Sequence, residues 1–110
     1  MPSIVGAQRL YSVIPTADAA TAPRMFKQGY AFGTVTNPTS VDKTITWYGV
    51  YSSTRTTAYA LKDQDNVAVT QTVPTVGMAE IHSAVAGVPI AVPVTSTAAS
   101  TVALHFAFYR

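Results

Sequence analysis

Two histidines, five acidic residues and no cysteine are the chain's main means of acid–base, nucleophilic or metal chemistry. His82 follows Glu80 by two positions, but Glu-x-His lacks the third ligand or second histidine that a zinc site requires. The pair therefore reads as structural. His105 alternates with the large apolar residues around it, which places it on the partly exposed face of a strand. Asp63-x-Asp65-Asn66 resembles the opening of a calcium loop, yet Val67 begins a strand where the loop would go on to its glycine and late acid. A solvated hairpin tip is the reading that fits. Asp18, Asp42 and Glu80 are far apart in sequence. No serine sits in a Gly-x-Ser-x-Gly elbow, and the six glycines are too dispersed for a phosphate loop. No catalytic residue, metal ligand or cofactor site is expected, and an enzyme is not the expected function.

Charge is the most informative feature of the composition. Only 11% of residues are charged while 48% are hydrophobic, against roughly 25% charged in an ordinary soluble domain. Such a chain covers itself with a neutral, hydroxyl-rich exterior or with other subunits, and the second is favoured because protein interfaces are poor in charge. The net charge of +2 comes from Arg9, Arg24, Lys27, Lys43, Arg55, Lys62 and Arg110, which form no run. No nucleic-acid partner is expected from so scattered a set. The start of the chain lacks a signal peptide's basic and apolar regions, and no segment reaches the ~18 apolar residues that span a bilayer. Synthesis in the cytoplasm and no membrane association are expected.

Strands must position whatever these residues do. Val102, Leu104, Phe106 and Phe108 share one side of a period-two alternation, with His105 and Tyr109 on the other, so the closing segment predicts a strand buried against a second layer. Residues 28–36 and 43–52 alternate in the same way around Asn37-Pro38-Thr39-Ser40 and predict an antiparallel hairpin, with Trp47 and Tyr51 inward and Tyr48 outward. Gly49 predicts a bulge or a close approach by another backbone. A second hairpin is predicted from 58–62 and 67–73, with Val67, Val69, Gln71 and Val73 on one face. The one helical turn is placed in 79–86, and 95–100 read as a polar turn. Pro89 and Pro93 remove two donors from one edge of the segment 88–94, which therefore predicts an edge strand or polyproline-like rim. Residues 1–14, with Ile4, Val5, Leu10 and Tyr11, predict either an arm lying on a neighbour or a short edge strand.

One all-β domain over residues 1–110 follows: an antiparallel β-sandwich or jelly roll of about seven or eight short strands. By its size, its lack of cysteine, its scarcity of charge, its Thr-, Ala- and Val-rich strands and the closing Phe106-Ala107-Phe108-Tyr109-Arg110, the chain resembles the small all-β accessory proteins of tailed-bacteriophage virions. The resemblance is one of general style and covers no family motif. It implies a decoration, cement or short fibre protein located in the virion. Its partners would be a capsid or tail lattice and copies of itself, as a symmetric oligomer with a trimer favoured. The expected contacts are Ile4, Val5, Leu10 and Tyr11 together with Val88, Pro89 and Pro93. The alternative is a carbohydrate- or receptor-binding module that uses the outward tyrosines Tyr48 and Tyr109.

Overall fold

The computed structural model describes residues 8–52, 57–95 and 102–109. Ile4, Val5, the centre of the polar connection at 53–56 and most of the turn predicted at 95–100 lie outside the described residues.

Among the described residues, nine strands form two antiparallel sheets. Sheet one has the order β1 (Gln8–Val13), β9 (Leu104–Tyr109), β3 (Phe32–Asn37), β7 (Gly77–Glu80). Sheet two has the order β2 (Met25–Phe26), β8 (Ile90–Thr95), β4 (Lys43–Val50), β5 (Tyr59–Ala60), and β6 (Thr70–Val73) also pairs with β4. Their inner faces meet in one core, because alternation turns Leu104, Phe106 and Phe108 of β9 toward Ile45 and Trp47 of β4. The Trp47 and Phe106 rings meet edge to face across the two layers, with centroids 5.8 Å apart. Val102 precedes β9 and is exposed, which corrects its expected place on the buried face.

The predicted hairpin of 28–36 with 43–52 does not form. β3 pairs with β7 and β9, whereas β4 pairs with β5, β6 and β8, so the connection between them is a corner from one sheet to the other. Asn37 fixes that corner. Its buried amide donates to the carbonyls of Val41 (2.9 Å) and Val73 (3.1 Å), while its Oδ1 accepts from the backbone N–H (2.9 Å) and hydroxyl (2.6 Å) of Thr39. Period-two patterning is the same for a hairpin and for an inter-sheet corner, which is why the sequence favoured the commoner local pairing. Tyr51 lies just beyond the end of β4 and is exposed rather than inward.

β8 likewise corrects the edge-strand prediction, because it is flanked by β4 on one side and by β2 on the other. The donors lie where the prolines imply: the Thr95 N–H points to the side away from β4, where it reaches the Thr16 carbonyl at 3.1 Å. Pro89 and Pro93 belong to that same side by alternation, and β2 together with the Thr16 bridge to Val94 covers it. Burial on both faces explains the unbroken apolar run. Ile90, Val92 and Val94 pack with Ala22 and Val50 in a second cluster, while Ala91 faces the main core.

The second hairpin is present, and both its arms lie along β4. Val69 and Val73 are buried and Gln71 is half-buried, but Val67 stands exposed at the tip, out of the face expected for it. Asp63 closes the tip by accepting from the backbone of Asp65 (2.8 Å) and Val67 (3.0 Å) through Oδ1. Gly49 marks a close approach, although by side chains: an added Cβ would stand 2.8 Å from Cγ1 of Val88. The helical turn is a 3-10 helix at Ser83–Gly87, since Ala79 and Glu80 belong to β7. Nδ1 of His82 accepts from the Ala84 N–H and begins that turn.

Candidate functional site

Two places bring together side chains that the sequence keeps apart. The first is a cluster of cations and aromatic rings where β1 of sheet one meets β2 of sheet two. A guanidinium N–H of Arg9 donates to the Phe26 carbonyl at 3.1 Å, and the Tyr11 hydroxyl donates to the same oxygen. Arg9 also lies 5.1 Å from the centre of the Tyr30 ring. Beneath it the Lys27 ammonium stands 5.9 Å from the Phe108 ring, which Tyr11 meets edge to face. Lys27 is only 2% exposed, so alone among the described charged side chains it is buried. Burial pushes its pKa below the usual lysine value, whereas hydrogen bonding to Tyr11 raises that of the exposed Arg9.

Local sequence explains how Lys27 comes to be inside. Met25 turns into the core and Phe26 outward, so the alternation of β2 turns Lys27 inward again. The chain then reverses through Gln28 and Gly29, the latter at φ +82°, and the Tyr30 N–H closes the turn on the Lys27 carbonyl at 2.8 Å. Beside this turn, the 3-10 helix and the start of β8 complete a pocket of about 440 Å³ lined by Lys27, Tyr30, Ala31, Gly87, Val88 and Pro89 among others. The pocket lining contains no Asp or Glu.

The second place is the outer face of sheet one. Register sets Leu10, Ala107 and Thr34 in one row and Ser12, His105, Thr36 and Met78 in the next, with Tyr109 beside Phe32 at the end of the face. Leu10 is 71% exposed, Met78 64% and Phe32 56%, around a floor of small residues and a hollow of about 220 Å³. Glu80 is the one carboxylate that the described strands turn to this side. Ser12 Oγ and His105 Nδ1 are 2.7 Å apart across the β1–β9 ladder. A nucleophilic pair would also need a group that orients the imidazole and donors for an oxyanion. No carboxylate among the described residues is hydrogen-bonded to His105; the pair fixes the ring on the face.

The expected contact residues are divided by the fold. Leu10 is fully presented and Tyr11 is half-buried in the cation cluster, but Val88 and Pro89 are half-buried at the pocket and Pro93 is buried opposite Trp47. Of the two tyrosines expected to meet a glycan, Tyr109 is exposed and tilted on Phe32 with centroids 6.4 Å apart. Tyr48 is half-buried against the second apolar cluster. His82 and Asp63 serve the turn and hairpin roles described above, and no group of three or more His, Asp or Glu among the described residues is placed to hold a metal ion. Lys27, Arg9 and the Ser12–His105 pair were not singled out from the sequence. The cations are single residues 18 positions apart and Ser12 and His105 are 93 apart, so only the pairing of strands brings each set together.

No protein-family model matches the chain, and neither a curated protein nor a solved structure matches it. No helix among the described residues is long and apolar enough to cross a membrane.

Proposed function

We propose that the protein is a non-enzymatic virion structural component, a decoration, cement or head or tail surface protein, that binds a protein lattice as a homo-oligomer. The observation that carries this reading is the outer face of sheet one, where Leu10, Phe32, Met78 and Tyr109 stand exposed around Thr34 and Ala107. Single exposed apolar residues are ordinary, but several on one sheet face with one carboxylate among them suit contact with another protein. We propose that a neighbouring copy of the chain packs there.

The finer fold reading is a jelly roll. With β5 and β6 counted as one position beside β4, the orders β1-β9-β3-β7 and β2-β8-β4-β5 follow the two interleaved four-stranded sheets of that architecture. Jelly rolls serve in viral capsids and in lectins alike, so the fold narrows the choice without making it. The Phe32–Tyr109 pair favours a second reading, a carbohydrate- or receptor-binding module, because two exposed rings side by side offer a sugar a stacking surface.

Co-sedimentation with candidate virion shells tests the first reading. The full chain should pellet with its shell, and a variant carrying Leu10→Glu and Met78→Glu should stay in the supernatant while keeping its melting temperature. Binding to a glycan array without binding to any shell would transfer support to the second reading.

A further inference from the structure

We propose that the pocket between the β2–β3 turn and the start of β8 binds a monoanionic carboxylate, with the Lys27 ammonium as its counter-ion. A lysine so nearly buried is costly unless something compensates its charge, and no Asp or Glu lines the pocket. Cation–π contact with Phe108 at 5.9 Å supplies only part of that compensation. Burial alone lowers the Lys27 pKa, and no carboxylate among the described residues stands against the ammonium to offset it. Arg9 above Tyr30 adds a second positive charge to the same cluster, and no carboxylate among the described residues is paired with it. Both cations therefore favour an anion from outside.

The lining selects among anions. Ala31, Ala86, Val88 and Pro89 form apolar walls, and desolvating a doubly charged phosphate against them costs far more than desolvating one carboxylate with a short aliphatic stem. The volume of about 440 Å³ has room for such a group. Two sources share this chemistry: a free short-chain carboxylic acid, or a Glu or Asp side chain carried by a partner protein. The proposal is independent of the packing of the outer face of sheet one, which shares no residue with the pocket lining.

Titration of the isotope-labelled full chain, followed by NMR, tests it with four probes: sodium propionate, an uncharged-capped Gly-Glu-Gly peptide, sodium phosphate and sodium chloride. Propionate or the peptide should move the amide signals of 28–31 and 86–88 saturably, with a dissociation constant in the millimolar range or tighter. The tighter of those two probes identifies the source. The Lys27 side-chain signals should move toward their protonated position as the carboxylate binds, because a neighbouring negative charge favours the ammonium. Lys27→Met should keep or raise the melting temperature and weaken binding by about tenfold or more. The Lys27 signals of the unaltered chain give the same answer if that variant does not fold. The proposal is overturned if neither carboxylate produces saturable shifts, if Lys27→Met binds as well as the unaltered chain, or if phosphate or chloride matches the carboxylates.

Discussion

Gln71 accepts a 2.7 Å hydrogen bond from the indole N–H of Trp47, the central core residue on the neighbouring strand of the same sheet. The same Oε1 accepts from the His82 backbone at 2.9 Å, and the amide of Gln71 donates to the Glu80 carbonyl at 2.8 Å. One side chain on β6 thereby satisfies a buried donor and fastens sheet two to the end of β7 in sheet one. Replacement of Gln71 by Leu would leave the indole N–H without its partner, at a cost of about 1–3 kcal/mol. Urea unfolding of the variant checks this, and an unchanged midpoint would show that the bond contributes nothing net.

Phe106 occupies the middle of β9 and packs on Trp47, so truncation opens a cavity between the sheets. Phe106→Ala should cost about 3–5 kcal/mol, a large share of the stability of a small domain. A calorimetric melting temperature close to that of the unaltered chain would place β9 outside the core.

Stability should depend on pH through Lys27. Its pKa is lowered in the folded chain, so between that value and the ordinary 10.5 the unfolded chain binds more protons than the folded one. Stability therefore rises with pH across that window and is lower below it. Arg9, Tyr11 and Tyr30 of the same cluster also titrate, and the difference between the unaltered chain and Lys27→Met isolates the lysine from them. Denaturant titrations at several alkaline pH values should show a shallower rise for Lys27→Met. Parallel curves would mean that Lys27 has the same pKa folded and unfolded.

Self-association through a nearly uncharged face should resist salt. At ~0.5 M salt the Debye length is about 4–5 Å, which screens exposed charges and leaves apolar contact intact. Sedimentation at low and high salt measures this, and dissociation as salt rises would mean that charges hold the copies together.

Legibility of the sequence followed the kind of pattern each feature leaves. Leu104, Phe106, Phe108 and Trp47 were readable as core because alternation of large apolar residues has one physical meaning. The Asp63 tip was readable because its hydrogen bonds are local. The partners of β3 and β4 were not, since alternation carries no information about which strand lies alongside. The proline edge of β8 was read correctly at the level of donors and missed at the level of neighbours, because β2 has only two residues and leaves almost no pattern. Lys27 escaped for the same reason: its burial follows from the inward turn of that short strand.

The mass of the assembly in solution tests the central claim most directly. Light scattering should give a small whole-number multiple of 11.6 kDa, with a trimer favoured, for the full chain. Leu10→Glu with Met78→Glu should reduce it to a single chain without lowering the melting temperature, because both side chains are exposed in the protomer. A full chain that remains at 11.6 kDa, alone and with its shell present, or a double variant that assembles as well as the unaltered protein, would contradict assembly through the outer face of sheet one.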